Sequence, residues 1–185
     1  FGHTVPGHDD PGEPEGEPMK HGMSISDLFC GLYSTIAIQA ALAMRTRTGK
    51  GQHIDMALYE SIFRFLDELV PAYAKEGTVR QREGMGTKLA CPHGHFHTGD
   101  DKWVSIACTS DRMFERLAKV MGSPELAGEE MYQTTAQRIA ARETVDGLVT
   151  KFTRSYKQSE VLQMCTDGDV PCGAINSVAD IFEDP

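Results

Sequence analysis

Apolar residues recur every three or four positions between Ser26 and about Arg47, which is the spacing of one face of an α-helix. The residues that carry this period are Leu28, Leu32, Ile36, Ala40 and Ala43. Phe29, Ile38 and Leu42 make further faces apolar, so the pattern predicts a buried helix. Its end is predicted at Arg45 to Gly51, because cations favour the carboxyl end of a helix and glycine accepts the left-handed cap.

Shorter patterns follow along the rest of the chain. We predict a strand over His53 to Leu58 and a second helix over Tyr59 to Lys75, interrupted near Pro71. Alternation predicts a strand over 102–107, after a turn at Gly99-Asp100-Asp101. Further predicted elements are helices over 111–121, 137–155 and 159–167, a strand over 170–175 and a last helix over 177–182. Ser159 is predicted to cap its helix through its own hydroxyl oxygen.

Two polar stretches indicate the domain organisation. Residues 1–22 hold four prolines and five glycines without an apolar period, and they predict an extended loop. Residues 76–92 are polar and contain glycines, and they predict a linker with a domain boundary near Val79. We therefore expect one segment over 1–78 and a second over 79–185.

The composition permits a folded core and limits the partners. The 185 residues are 40% hydrophobic, which is enough for one domain or two small ones. Acidic residues number 27 against 18 basic ones, and the net charge of −9 disfavours nucleic acid and anionic membrane surfaces. The longest uncharged apolar stretch, Gly31 to Met44, is too short to span a bilayer, so no transmembrane helix is predicted.

The cysteines and the first residues bear on the setting of the protein. Five cysteines without a Cys-x-x-Cys pair are typical of a reduced, cytoplasmic environment. The chain begins Phe1-Gly2-His3, with neither a Met nor a basic and apolar leader. We expect no signal peptide, and we expect the chain to be a fragment of a longer protein.

Asp27 is the first candidate for chemistry. Ser24-x-x-Asp27 stands directly before the apolar helix, which is the spacing of a capping box. On that interpretation both side chains only satisfy free amides of the first turn. Alternatively, the helix dipole and amide donors keep the carboxylate ionised, as a nucleophile requires. The spacing alone leaves both interpretations open.

Three histidines alternate behind Cys91. On a strand, His93, His95 and His97 would share one face with the thiol, at a spacing compatible with zinc. Consecutive positions of one strand close a tetrahedron only with strain, so a solvated or partly buried strand face is favoured and no metal is expected. A metal-binding module on these residues stays open as a hypothesis.

Other motifs are weak. Gly49-Lys50-Gly51 follows a helix and lacks the remaining residues of a phosphate-binding loop, so a helix stop is favoured. Neither a Gly-x-Ser-x-Gly elbow nor a His-Glu-x-x-His pattern occurs, which removes the commonest hydrolase and metalloprotease signatures.

A longer set of motifs carries a family resemblance. The segments are Ser26-Asp27-Leu28-Phe29-Cys30-Gly31-Leu32-Tyr33, Arg45-Thr46-Arg47-Thr48-Gly49-Lys50-Gly51-Gln52, Ile54-Asp55-Met56-Ala57-Leu58, Asp101-Lys102-Trp103-Val104-Ser105-Ile106-Ala107 and Val170-Pro171-Cys172-Gly173. Together they resemble the family III coenzyme A transferases, the CaiB/BaiF and formyl-CoA transferase group. Lys102 stands where that family usually has a glycine. The resemblance covers nearly the whole chain after residue 20.

The resemblance implies a fold and a site. The fold would be a helix-rich α/β (α+β) arrangement, made of the end of a Rossmann-like large domain and most of a small domain. The resemblance aligns Asp27 with the nucleophile that forms aspartyl anhydride and thioester intermediates. The resemblance also places Gly84 and Gly86 in a loop that closes over the substrate.

The resemblance also implies partners. The substrates would be an acyl-CoA thioester and a carboxylic acid, with no permanently bound cofactor and no metal. Family members form interlocked homodimers, so we expect an oligomer, with apolar surface exposed on the first helix where the rest of a longer chain belongs.

Two alternatives stay open. The related α-methylacyl-CoA racemases use an aspartate here with a histidine, but a run of glycines follows that aspartate, whereas Leu28-Phe29-Cys30 follow Asp27. A truncated copy that folds without turnover is the other alternative. Enzymatic activity of this chain by itself is therefore an open expectation.

Overall fold

The structure is a computed structural model that describes residues 22–80, residue 87 and residues 89–183. Internal contacts divide the chain into two units, Phe1–Arg82 and Glu83–Pro185. The assignment of these units to the large and small domains of a longer enzyme stays a prediction.

Helix α1 dominates the first unit. It runs over Ile25–Thr48, and Gly49 ends it in the left-handed conformation, with φ 70° and an N–H that donates to the Arg45 carbonyl at 2.8 Å. The predicted position and stop are confirmed. The predicted burial is wrong, because no residue of α1 is buried and Leu32 and Ile36 are 61% and 64% exposed. Periodicity predicts that the helix is apolar, but it does not show whether other residues of the same chain pack over its apolar side chains.

The segment after α1 differs from the prediction. Residues 51–57 form no strand, since a strand needs a hydrogen-bonded neighbour and the described part of this unit contains none. Helix α2 follows at Leu58–Phe63, then a 3₁₀ turn at Arg64–Leu66, and α3 at Leu69–Glu76. The break lies at Asp67, whose φ is 42°, and not at Pro71, which fits within the first turn of α3.

The second unit contains a three-stranded antiparallel sheet in the order β1-β2-β3. Strand β1 is His93–His97, β2 is Trp103–Ala107 and β3 is Cys172–Ala174. The predicted turn before β2 is confirmed, with Asp101 at φ 58°. Alternate residues of β1 and β2, including Phe96, Val104 and Ile106, are buried in a core against the helices.

Five helices complete this unit in its described residues. They are α4 at Asp111–Val120, α5 at Thr135–Ala140, α6 at Arg142–Arg154, α7 at Gln158–Asp167 and α8 at Val178–Glu183, with a 3₁₀ turn at Pro124–Gly128. The single helix predicted over 137–155 is two helices, because Ala141 takes φ −103° and ψ 24°. Ser159 does not cap α7; the Lys157 N–H donates to the Glu160 carboxylate at 2.7 Å.

The helix-rich α/β class is confirmed. The structure differs from one prediction about membranes. The apolar stretch Gly31 to Met44, predicted to be too short to span a bilayer, is part of α1, whose 24 residues are long and apolar enough to cross one. Core helices of soluble proteins share these properties, so length and composition alone assign neither role.

Candidate functional site

Asp27 lies in the first turn of α1 and is exposed. The capping-box interpretation is wrong, because the Ser24 side chain makes no capping hydrogen bond. Within the described residues, the Asp27 carboxylate has no hydrogen bond or ion pair. The amide end of a helix stabilises negative charge. The carboxylate is therefore free to meet a reactant.

Three contacts hold the first half of α1 against the segment that follows it. The Ser61 hydroxyl is near the Leu58 carbonyl at 2.6 Å and the Ser26 carbonyl at 3.2 Å, and Ser61 is buried. The rings of Phe29 and Phe65 are 4.4 Å apart. The Ser34 hydroxyl donates to the Met56 sulfur at 3.7 Å. These contacts fix the turn that carries Asp27.

Two open cavities lie in this unit. An apolar groove of about 570 Å³ follows the start of α1 and is lined by Met23, Ile25, Leu28, Phe29, Gly31, Leu32 and Thr35. Asp27 lies between two of these residues in sequence. A second, more polar cavity of about 380 Å³ is lined by Tyr33, Asp55, Met56, Glu60, Ser61 and Arg64.

Gly84 and Gly86 lie outside the described residues. The chain that follows them is held firmly in the second unit. Arg142 donates to the Thr87 carbonyl and, at 3.0 Å, to the Ala90 carbonyl. Arg138 donates from Nε to the Cys91 carbonyl at 2.8 Å.

The histidines behave as a strand face. His93, His95 and His97 are half-buried on one side of β1, and their buried Nδ1 atoms have no hydrogen-bond partner among the described residues. The Nδ1 of His97 lies 3.9 Å from the Asp101 carboxylate. Burial lowers the pKa of His95 below its ordinary value of 6.5. Cys91 faces a different environment: it is buried beside Phe114, Tyr132 and Val145, and burial raises its pKa to about 11. No group of three potential ligands that could hold a metal ion occurs in the part of the chain described.

The comparison with protein families decides the assignment. The profile of "CoA-transferase family III" matches residues 7–185. The chain belongs to CoA-transferase family III. The family resemblance noted in the sequence is therefore confirmed.

Curated relatives align with nearly the whole of this chain. The alpha subunit of succinyl-CoA–L-malate CoA-transferase from Chloroflexus aurantiacus is 45% identical over 94% of this chain and 41% of its own length. Succinate–glutarate CoA-transferase from Agrobacterium fabrum is 36% identical over 94% of this chain and 43% of its own. The chain thus spans less than half the length of these relatives.

Solved structures agree. A CaiB/BaiF family protein from Brucella suis has a TM-score of 0.77 and 40% identity, covering 96% of this chain and 47% of that one. The protein Rv3272 from Mycobacterium tuberculosis, at 17% identity, has a TM-score of 0.79 over 94% of this chain and 45% of its own, and shows the same fold.

The sequence patterns did not predict two residues that position the segments named above, Ser61 and Arg138. Ser61 carried no signal, because a serine inside an apolar helix looks neutral. Arg138 is fully buried, which a charged residue in a polar helix pattern does not reveal.

Proposed function

We propose that this chain carries the nucleophile of an enzyme that transfers coenzyme A from an acyl-CoA to a carboxylic acid. The observation that carries the proposal is Asp27: an exposed carboxylate without a partner among the described residues, in the first turn of a helix that lies within the family match. The substrates are bound transiently, and the proposal requires no permanent cofactor.

In the first half-reaction, an Asp27 oxygen attacks the thioester carbonyl and the carbon–sulfur bond breaks. The products are an acyl-aspartyl anhydride and CoA thiolate. The thiolate then attacks the aspartyl carbonyl of the anhydride, which releases the acyl group as its carboxylate and leaves an aspartyl-CoA thioester.

In the second half-reaction, the acceptor carboxylate attacks this thioester and again releases CoA thiolate. The thiolate attacks the acceptor's acyl carbonyl in the new anhydride, which yields the new acyl-CoA and regenerates the Asp27 carboxylate. A carboxylate suits both halves because its mixed anhydride is more reactive than the thioester from which it forms.

The surroundings of Asp27 support this role. Asp27 lies at the amide end of α1, where negative charge is stabilised, and no cation among the described residues pairs with its carboxylate. Gly84 and Gly86 are proposed, from the family resemblance, to let backbone amides approach the intermediate.

The names of the relatives narrow the substrate class. Two relatives are the alpha and beta subunits of succinyl-CoA–L-malate CoA-transferase, and a third is succinate–glutarate CoA-transferase. We propose succinyl-CoA, or a similar dicarboxylic acyl-CoA, as donor and a short dicarboxylate as acceptor.

We also propose that the active protein is a cytoplasmic homodimer, with α1 as part of the surface that is covered in the complete enzyme. The exposed side chains of α1 include Leu28, Leu32, Ile36, Ile38, Leu42 and Met44. Such a run is larger than soluble proteins usually leave in water. A non-catalytic, truncated protein is the alternative.

Trapping of the covalent intermediate tests the proposed function. The chain is incubated with succinyl-CoA and hydroxylamine, and its intact mass and peptide map are compared with those of Asp27→Asn. We expect a CoA-dependent hydroxamate on Asp27 that is absent from the variant. Asp55→Asn, an exposed carboxylate of the same unit, is the control and retains the adduct. Equal labelling of Asp27→Asn, or none in the wild type, contradicts nucleophilic transfer by this chain.

A further inference from the structure

A further open cavity lies in the second unit, between the two clusters of side chains that form its core. Its volume is about 270 Å³. Met121 and Phe152 line it from one core cluster, and Leu126 and Leu148, which pack against the other cluster, line it as well. The cavity therefore has an apolar interior.

The opening of this cavity is polar. The polar lining residues are Ser123, Lys151, Ser155 and Tyr156, and all of them except Ser123 are exposed. Lys151 carries the only formal charge among the described lining residues, in a chain whose net charge is −9. An apolar interior is thus combined with a cationic rim.

Three hydrogen-bond donors at this rim are unused. The Lys151 ammonium and the hydroxyls of Ser123 and Tyr156 make no hydrogen bond or ion pair with any residue that the structure describes. The fourth polar side chain is occupied, since the Ser155 hydroxyl donates to the Lys151 carbonyl at 2.9 Å. An ammonium group can only donate, so it requires an acceptor from water or from a ligand.

The carbonyls that could compete for these donors are already paired. The cavity lies where α4 and α6 end, and the carboxyl end of a helix ordinarily presents free carbonyls that attract cations. At the end of α4, the amides of Met121, Gly122 and Ser123 donate to carbonyls of the last turns at 2.8, 3.0 and 2.9 Å. At the end of α6, the amides of Ser155 and Tyr156 do the same at 3.0 and 3.2 Å. The rim therefore suits a ligand that brings acceptor oxygens.

We propose that this cavity binds a small organic carboxylate with an apolar body, such as hexanoate. The carboxylate accepts a charge-assisted hydrogen bond from Lys151 and a second one from the Ser123 or Tyr156 hydroxyl. The apolar body displaces water from the interior. A volume just below the about 300–1,000 Å³ of drug-sized pockets favours a ligand of this size. The site goes beyond the proposed transferase reaction and does not depend on it.

Helix α6 supplies a matched pair of variants. Lys151→Met removes the charge, keeps an apolar side chain and lies at an exposed position, so the fold should be retained. Arg154→Met removes a cation of the same helix that does not line the cavity and that lies 3.8 Å from the exposed Asp101. Both variants change the net charge equally, so general electrostatic attraction affects them alike.

NMR titration of the amide groups of the chain with sodium hexanoate, at constant ionic strength, tests the proposal. Hexanamide is the neutral ligand of the same length. We expect saturable shifts centred on residues 121–126 and 148–156, and about threefold to fivefold tighter binding of hexanoate than of hexanamide. Lys151→Met should abolish this preference, and Arg154→Met should retain it.

The comparison of the two ligands on the wild-type chain requires no variant to fold. Shifts that do not saturate or that lie outside the cavity would overturn the proposal. Equal binding of the two ligands, or a preference for hexanoate that persists in Lys151→Met, would overturn it as well.

Discussion

The guanidinium of Arg138 donates from Nη2 to the Asp111 carboxylate at 2.8 Å, with the arginine fully buried and the aspartate half-exposed. Arg138 also donates to the carbonyls of Tyr132 and Cys91, at 2.7 and 2.8 Å, and lies 4.6 Å from the ring centre of Phe114. One side chain thus joins α4, α5 and the chain that leads into β1.

Replacing Arg138 by alanine should destabilise the second unit by about 3–5 kcal/mol, because buried carbonyls lose their donors and a cavity remains. Urea unfolding, followed by the fluorescence of Trp103, measures the change. Arg154→Ala is the control: its ion pair with Asp101 is exposed and 3.8 Å long, and its loss should cost about 0.5 kcal/mol or less. Equal effects of the two substitutions would contradict the role given to Arg138.

The pH dependence of stability should include a contribution from Asp111. The hydrogen bond from Arg138 holds the pKa of Asp111 below its ordinary value of 3.8. A carboxyl with a lowered folded-state pKa contributes stability above its unfolded pKa and loses it as pH falls through the folded one. Acid unfolding of Asp111→Asn should thus have a shallower pH dependence below about pH 4. Glu115→Gln, on the same helix, should match the wild type; an unchanged slope in Asp111→Asn would contradict the linkage.

Gly99 should not tolerate a side chain. Its N–H donates to the Tyr156 carbonyl at 2.8 Å, and an added Cβ would lie 2.7 Å from the Arg154 carbonyl oxygen. Gly99→Ala should destabilise by about 1–3 kcal/mol, because backbone must move. Gly147→Ala, in the middle of α6 with open space around it, should stabilise by about 0.5–1 kcal/mol. Thermal unfolding compares them, and the same sign for both would refute the packing argument.

The exposed face of α1 should govern self-association. Leu32→Ser combined with Ile36→Ser should weaken it about tenfold or more, because covering one such side chain is worth about 1.5–3 kcal/mol. Sedimentation over a range of concentrations measures the effect. Met131→Ser removes a similarly exposed apolar side chain elsewhere and should have no effect. A wild-type chain that stays a compact monomer at all concentrations would contradict the dimer.

Local patterns predicted the elements whose signals are local. The period of α1, its stop at Gly49 and the alternation of β2 need no knowledge of the rest of the chain. The prediction of a strand over 53–58 was wrong because a strand depends on a partner that is distant in sequence. The break at Asp67 results from its positive φ, which the identity of the residue does not predict.

The candidate site also contains residues that a local motif predicts and residues that depend on contacts distant in sequence. Asp27 could be predicted because its motif is contiguous, and its role stays a prediction. Ser61 could not, because it reaches the first turn of α1 from 35 residues away in sequence. The burial of α1 could not be predicted, since periodicity shows which faces are apolar but not which chain covers them.

The acceptors of Arg138 and Arg142 at Thr87, Ala90 and Cys91 are main-chain carbonyls. The hydrogen bonds of the two arginines therefore make no demand on the side chains of these three positions. In a library that randomises this stretch, folded variants should carry many residue types at position 87 and small residues at position 90. The same library at 138 and 142 should return arginine almost alone, because only its planar fork reaches the carbonyls at these angles. The segment can therefore vary in sequence because two arginines, about fifty positions later in the chain, hold it by its backbone.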